Sequence, residues 1–503
     1  MKSSLTFLGV DVGAESGRLM AGLWDGRRIV LQEQHRFANG GVTVGNTLRW
    51  DLLHLWKQIK HSLTLAGRAY GGSIRSIGVD TWGVDYVMMT QTGEWLGLPY
   101  SYRDPRTHGL VEEVVDLLSR ERVFAESGAQ FLEINTLYQL LAMQRQNPGL
   151  LAQAKHMLMI PDWIHWALSG SEVCEFSNAT TTQFVHPTTR QWSTGLLHRL
   201  GIPTHFLPEI VPSGTPIGSL RAGVASATGL HSVPVIAPAT HDTASAVVGV
   251  PTTRTGTASW AYISSGTWSL VGVEIQRAAL GENVLRHNFT NEGGVDGTYR
   301  LLKNVMGMWL VQQLRAAFAA SGHDHDYHQL VQLASHAESL RSLINPDDPC
   351  FMRPANMVVS IQNYCLETGQ PVPETAGQLV RCVLESLALR YSEIITQLEE
   401  ITGETIEVIH IVGGGGKNSL LNQFTADACN RPVIAGPTEA TALGNVLFQA
   451  KAAHEIATLS DVRSVIRESF EHELREFYPE PKHLGEWDAA FHKWHHLVSS
   501  ALH

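Results

Sequence analysis

Apolar residues in this chain recur at two periods, and the switches between them repeat in its two halves. Near the start, Leu5, Phe7, Leu8 and Val10 form a short apolar run that ends in Asp11. A polar turn with Gly13 and Gly17 follows, Leu19 to Trp24 resumes the run, and Asp25-Gly26 turns the chain into Arg28 to Gln34. That pattern predicts three strands joined by hairpins. Between residues 50 and 75, Leu52, Leu55, Trp56, Ile59 and Leu63 recur at helical spacing and predict a helix packed on that sheet. Ile74 to Val87 reads as two strand segments around the polar centre Asp80-Thr81-Trp82-Gly83-Val84-Asp85. Residues 108 to 230 read as mainly helical, with Asn135 to Gln144 and Pro161 to Leu168 the clearest segments and Pro161 suited to a first helical turn. Ser177 to Gln183 is polar and small, a loop composition that could line a cleft.

Val233 to Ala237 is a short apolar strand, and Ala244 to Val250 is small and apolar enough to be a buried helix. Thr240, Asp242 and Thr243, between the two, suit helix caps. A carboxylate at such a junction points into the crevice at the strand ends, where α/β proteins put ligands. Asp242 is thus either a plain cap or a catalytic group. Ala261 to Val273 then repeats the opening pattern of strand, hydroxyl-and-glycine turn, strand. Leu302 to Leu310 reads as the opening of a helix that runs on through Gln312 to Phe318, and Ile344 to Met357, with three prolines, as a loop. Glu374 to Thr402 is a long helix, Glu407 to Val412 a strand running into Gly413 to Gly416, and Asn418 the cap of the next helix.

Composition narrows the class. At 503 residues the chain exceeds a single hydrophobic core, and Pro251 to Thr257 has a linker-like composition, so a boundary is expected near residue 250. Hydrophobic content of 44% with a net charge of −11 speaks for a globular protein without a nucleic-acid or membrane surface. Neither a signal peptide nor an uncharged apolar run of spanning length is visible. Five cysteines scattered without a C-x-x-C pair fit the reduced thiols of a cytoplasm and give no zinc site. The histidines of residues 321–328 lie in a polar loop without ligand-spaced partners.

The candidate chemistry sits in the turns. In Asp11 to Arg18, glycine lets main-chain N–H groups converge on an anion, Ser16 adds a hydroxyl, and Asp11 at the strand end suits the water shell of Mg²⁺. An ordinary glycine hairpin has the same residues. Asp80, Trp82, Gly83 and Asp85 suit a polyol, with carboxylates for hydroxyls, an indole face for C–H edges and glycine for close approach. Metal binding and capping use such carboxylates too. The recurrence of a phosphate-type hairpin about 250 residues on suggests a duplicated fold with nucleotide phosphates between the copies. The glycines at 413–416 would admit a planar ring or a phosphate.

Taken in order, the Asp11 hairpin, Asp80-Thr81-Trp82-Gly83-Val84-Asp85, Tyr102-Arg103-Asp104, His241-Asp242-Thr243, Ser264-Ser265-Gly266-Thr267-Trp268 and Gly413 to Gly416 resemble the FGGY carbohydrate kinases, of the wider sugar kinase, Hsp70 and actin superfamily. Thr240 to Val247, Asn178 to Gln183 and Leu302 to Gly307 are most like the L-rhamnulose-phosphorylating subgroup. The resemblance spans nearly the whole chain; a fourth glycine, Gly416, followed by Lys417 departs from the subgroup pattern. It implies an α/β protein of two duplicated ribonuclease-H-like domains flanking a catalytic cleft, residues 1–248 carrying sugar and base and residues 249–503 the nucleotide. ATP would phosphorylate the C1 hydroxyl of a ketose, with Asp242 as general base and Asp11 on hydrated Mg²⁺. Gly83, His241, Thr243 and Asn304 would contact the sugar beside Asp80, Trp82 and Asp85. Ala14, Glu15, Ser16, Gly17, Arg18, Gly266, Thr267, Gln312, Gly414 and Gly415 would contact the nucleotide. Kinases for L-fuculose or L-xylulose are the near alternatives, and a sugar sensor or chaperone-like ATPase the distant one.

Overall fold

A computed structural model describes residues 4–500 and divides into two compact units. The first comprises Met1–Gly256, Glu274–Leu301 and Ala440–Glu471; the second comprises Thr257–Val273, Leu302–Glu439 and His472–His503. Both are α/β. No helix among the described residues is long and apolar enough to cross a membrane.

The first unit is built on β1 (Leu5–Val12), β2 (Ser16–Trp24), β3 (Ile29–Ala38), β4 (Ile74–Thr81), β5 (Thr215–Ser219) and β6 (Pro234–Ala237), in the spatial order β5-β6-β4-β1-β2-β3. β1 pairs antiparallel with β2 and parallel with β4, and β4 pairs parallel with β6. The period-two pattern of β1 sends its side chains to two cores. Leu8, Val10 and Val12 meet Leu52, Leu55, Ile59 and Leu63 of the helix Leu52–Tyr70, whose first turn is capped by Asp51 accepting from the His54 amide at 2.9 Å. Phe7 faces the other way, into a core with Leu443, Val446 and Leu447 of the helix Ala440–Ala452 and with Ala244 and Val248. A sheet buried on both faces accounts for the near-continuous apolar run of β1.

The helix Ala440–Ala452 lies against the helix Asp242–Val248 at backbone distance. A Cβ on Gly444 would stand 1.8 Å from the Ser245 carbonyl oxygen, and one on Gly249 would stand 2.1 Å from that of Ala440. Backbone cannot give way as a flexible side chain can, so Gly444→Ala must push the helices apart. The expected cost is about 1–3 kcal/mol, read from a thermal melt. An unchanged melt would mean that the crossing is looser than described.

The second unit repeats the plan. β7 (Trp260–Ser265), β8 (Trp268–Ile275), β9 (Tyr299–Met306), β10 (Val408–Val412), β11 (Val433–Ala435) and β12 (Arg475–Phe477) run in the order β9-β8-β7-β10-β11-β12. β7 is antiparallel to β8 and parallel to β10, β10 parallel to β11, and β11 antiparallel to β12. A seventh strand of this sheet, Thr290–Gly293, lies outside β9, and the other six match β3-β2-β1-β4-β6-β5 strand for strand. The long helix Ala376–Thr402, opened by a capping box of Thr375 and Gln378, holds β8 through a buried hydrogen bond at 2.7 Å between the Tyr391 and Ser269 hydroxyls.

One expectation fails here. Leu302 to Leu310 does not open a helix: residues up to Met306 belong to β9, and the helix spans Trp309–Ala320. Leu301, Leu302, Val305 and Met306 are all buried, and on either side of Lys303-Asn304 they are spaced as on one face of a helix, so the local pattern points to the wrong element.

Candidate active site

In the first unit the ends of β1, β4 and β6 converge. Asp11 and Asp80 are opposite one another in the parallel pair, and Thr81 bridges to His241, just beyond β6. Asp11 is also opposite Arg18 across the hairpin, and Arg18 donates to its Oδ2 from Nε at 3.0 Å and Nη2 at 2.7 Å. The hairpin tip is closed by the Gly13 amide to Ser16 O at 2.8 Å, and Asn39 braces the Gly13 and Glu15 carbonyls. Asp80 is fully buried. Its Oδ2 accepts from Asn445 Nδ2 at 2.5 Å, while Oδ1 meets no donor among the described residues. Gln449 sets the Asn445 amide by donating to its Oδ1 at 2.6 Å, and Ser76 in turn donates to Gln449 at 2.6 Å. Burial, Asp11 and Asp242 push the Asp80 carboxyl well above the usual range, against the bond from Asn445.

Asp242 is the first residue of its helix and the N-cap position belongs to His241, so none of the expected Thr240, Asp242 and Thr243 is the cap. Asp242 Oδ1 is the engaged oxygen. It accepts from the Thr243 amide at 2.6 Å and the Thr243 hydroxyl at 3.2 Å, with His241 Nε2 at 3.3 Å. Burial raises the carboxyl, Asp11 adds to that, and His241 and the two Thr243 bonds oppose it; the net direction is upward.

Three buried groups place this corner without having been singled out in the sequence. Glu175 Oε2 accepts from the Thr240 amide at 3.0 Å and the Thr240 hydroxyl at 2.9 Å. Its Oε1 accepts from Ser213 and from the Ser177 amide, and the Ser177 hydroxyl accepts from the His241 amide at 3.2 Å. On the other side of His241, Glu292 Oε2 lies 3.2 Å from Nδ1, and Arg300 Nη2 lies 3.0 Å from that same carboxylate oxygen. Burial pushes Glu292 up, but Arg300 and His241 outweigh it and hold the carboxyl below the usual range. The only sequence signal was an acidic residue beside Gly293-Gly294, which by itself is a common loop composition.

Asp80, Trp82, Gly83 and Asp85 are brought together, with unequal roles. Asp85 is fully buried and both of its oxygens are met: Oδ2 accepts from Trp50 Nε1 at 2.6 Å, Trp82 Nε1 at 3.0 Å and the Tyr102 amide at 3.1 Å, and Oδ1 from Gln139 at 2.9 Å. Burial outweighs those bonds and pushes its carboxyl up to about 6. The two indoles it holds lie 4.3 Å apart, centroid to centroid. Between Gly83 and Asp85, Val84 has φ of 67°, a strained conformation for a β-branched residue. The Val84 amide donates to the Thr181 hydroxyl at 2.9 Å and the Thr136 hydroxyl donates to the Val84 carbonyl at 2.6 Å, so neighbours on two helical segments impose it.

In the second unit the hairpin tip Gly266-Thr267 is held by Met308 and Trp309 amides, which donate to its carbonyls at 3.1 and 3.0 Å. Gln312 Nε2 reaches the Thr267 hydroxyl at 3.4 Å. Gly413 to Gly416 turns from β10 into the short helix Gly414–Lys417, and a Cβ on Gly415 would fall 1.9 Å from Ser265 Oγ, so only glycine fits beside the hairpin. Gly414 is open, with nothing within 4 Å of a Cβ there. Asn304 lies on β9 next to Lys303, whose amine burial and Arg390 push down to about 7 against Asp347 and Glu393.

The donor set fits a hydrated divalent cation better than a caged one. Among the described residues no three His, Cys, Asp or Glu side chains gather closely enough to hold a metal ion, including those of 321–328. Asp11, with Oδ2 committed to Arg18, offers one carboxylate, which suffices for an ion whose remaining ligands are water and phosphate.

The chain was then compared with known proteins. Residues 6–249 match the model of the N-terminal domain of the FGGY family of carbohydrate kinases, and residues 261–453 that of its C-terminal domain. A rhamnulokinase of Bacteroides thetaiotaomicron is 43% identical over 485 residues, covering 96% of this chain and 98% of that protein. A rhamnulokinase of Bacillus subtilis is 39% identical over 466 residues, covering 93% and 94%. Among solved structures, the xylulose kinase of Lactobacillus acidophilus aligns with a TM-score of 0.81 at 16% identity over 98% of both chains. The ADP complex of Plasmodium falciparum glycerol kinase aligns at 0.76, with 16% identity over 97% of both. These two establish a shared fold.

Proposed function

Because the chain belongs to the FGGY family of carbohydrate kinases, we propose that it transfers the γ-phosphoryl group of ATP to the C1 hydroxyl of L-rhamnulose, giving L-rhamnulose 1-phosphate and ADP. The observation that carries this reading is the near-full-length similarity to rhamnulokinases. Asp242 is the general base. Its Oδ1 is held by Thr243 and His241, and Oδ2 is the oxygen that takes the C1 proton as the sugar oxygen attacks the γ-phosphorus in line. The nucleotide contacts are assigned to Ala14 to Arg18 and to Gly266, Thr267, Gln312, Gly414 and Gly415. Asp11 holds the water shell of Mg²⁺, which when bound neutralises charge on the transferring phosphoryl group.

Trp82, Gly83, His241, Thr243 and Asn304 contact the sugar. Asp80 and Asp85 act from behind: Asp85 is saturated by protein donors and fixes the face of Trp82, and Asp80 is packed under the acidic corner and tied to Asn445. A base must be ionised to accept a proton, and burial and Asp11 raise Asp242. The acid limb of kcat/KM is therefore expected at a pH above the ordinary carboxylate value near 4, with activity lost as pH falls through it.

The experiment is an ADP-release assay with Mg·ATP over a panel of ketoses, comparing kcat/KM at several pH values. L-rhamnulose is expected to lead the panel. A lead for L-fuculose or L-xylulose would replace the substrate, and a flat inactive panel would remove the kinase reading in favour of a sugar sensor.

A further inference from the structure

Glu175 precedes the short helix Phe176–Ala179, and its first duty is local: Oε1 accepts from the Ser177 amide at 3.0 Å, as a helix cap does. A cap needs one oxygen. The other, Oε2, reaches a segment 65 residues on, where it accepts from the Thr240 amide at 3.0 Å and the Thr240 hydroxyl at 2.9 Å. The Ser177 hydroxyl adds a bond to Oε2 at 2.5 Å and accepts in turn from the His241 amide at 3.2 Å. Glu175, Ser177 and Thr240 are fully buried, and with the Ser213 hydroxyl at 2.5 Å from Oε1 the described residues bring five hydrogen bonds to the Glu175 side chain, all of them donated to it.

Two of the peptide units that lead into Asp242 are held at both of their polar ends. Between Ala239 and Thr240, the carbonyl accepts from the Ser245 hydroxyl at 2.7 Å and the N–H goes to Glu175. Between Thr240 and His241, the carbonyl accepts from the Thr81 amide at 2.9 Å and the N–H goes to Ser177. Both N–H bonds lead to one atom, Glu175 Oε2, the second through the Ser177 hydroxyl. A peptide unit held at one end can still turn about that bond. Held at both, it fixes the direction in which the next side chain leaves the backbone, and buried N–H groups deprived of their acceptor have no cheap alternative.

We propose that Glu175 is a positioning residue for the phosphoryl transfer, its Oε2 carrying the backbone of Thr240 and His241 and so placing the Asp242 carboxylate against the sugar hydroxyl. The inference rests on the kinase reading for its effect on turnover and on geometry for the brace itself. Placement matters steeply, since a misplacement of about 1 Å costs up to about a hundredfold in rate.

Ser177→Ala cuts the His241 arm of the brace and leaves the Ser177 amide on Oε1. It is expected to lower kcat about tenfold, with the ketose KM within about threefold of wild type. In the Asp242→Asn background, where no base is left to aim, the same change is expected to cost less than about twofold. An equal loss in both backgrounds would mean that the serine acts through the fold at large, and that result, or an unchanged kcat in the single variant, would overturn the proposal.

A second readout does not depend on turnover. In Glu175→Ala, hydrogen exchange at the Thr240 and His241 amides is expected to run at least about tenfold faster than in the wild type, while the helix Leu52–Tyr70 keeps its protection. If that variant does not fold, Ser177→Ala decides the matter, with faster exchange expected at His241 and none at Thr240. Unchanged exchange at these amides would overturn the brace whatever the rates show. A wild-type enzyme inactive towards every ketose would instead remove the kinase reading and leave the exchange result standing.

Discussion

Asp242→Asn is expected to lower kcat by about a hundredfold to ten-thousandfold while the ketose still binds. The change keeps the volume and the hydrogen-bond acceptor for the Thr243 amide, which is 2.6 Å from Oδ1, so the helix Asp242–Val248 keeps its first turn. On the proposed reading, what is lost is the lone pair that takes the C1 proton. Without it the alkoxide must form unaided in the transition state, a term that belongs to kcat and leaves ground-state sugar contacts in place. Steady-state ADP release gives the turnover, and calorimetric titration of the inactive variant with the ketose gives the binding. Near-normal turnover would remove Asp242 from the chemical step; lost binding with lost turnover would make it a structural residue.

Glu274→Ala is expected to cost about 3–5 kcal/mol of stability, the largest loss for a single side chain outside the acidic corner. Glu274 and Arg463 are almost wholly enclosed and meet in a bidentate pair, Nη2 to Oε2 at 2.7 Å and Nη1 to Oε1 at 3.3 Å. Truncating the acid strands a guanidinium that cannot lose its proton, and the Val247 carbonyl at 3.3 Å and the Thr255 hydroxyl at 3.0 Å bring it no countercharge. Because Val247 lies in the helix that Asp242 opens, destabilisation is expected to be felt at the site as well. Chemical denaturation followed by tryptophan fluorescence measures the loss. Replacing both partners by Met is expected to recover most of it, since the cost lies in an unpaired charge and not in missing volume. A loss below about 1 kcal/mol in the single variant would place the pair nearer to water than its enclosure indicates.

The two strand-turn-strand signals at Asp11 and at Ser264 to Trp268 were legible because each depends on neighbours in sequence: an alternating run, a glycine turn and a second run. They led to the duplicated sheet, and the repeated order of β1 to β6 and β7 to β12 bears the duplication out. Asp242 stood out for a similar reason, as a carboxylate between the short apolar strand at Val233 to Ala237 and a buried helix. The failure at Leu302 to Met306 marks the limit of local reading. Its apolar residues sit on either side of Lys303-Asn304 at a helical spacing, and only pairing with the neighbouring strand β8 makes it a strand.

Side-chain roles divide along the same line. Residue types and their order determined by themselves that this is a two-part α/β protein with two glycine-bearing hairpin turns and an acidic, aromatic segment at Asp80 to Asp85. Only the tertiary structure decided what each carboxylate does there. Asp85 became a buried holder of two indoles because Trp50, Tyr102 and Gln139 come to it from three other segments. Asp80 was joined to Asn445, 365 residues away, and Asp242 gained the line of Glu292 and Arg300 behind His241. A carboxylate's charge state and free oxygen are set by which donors reach it and how much water is excluded, and both are properties of the folded neighbourhood, not of the adjacent sequence.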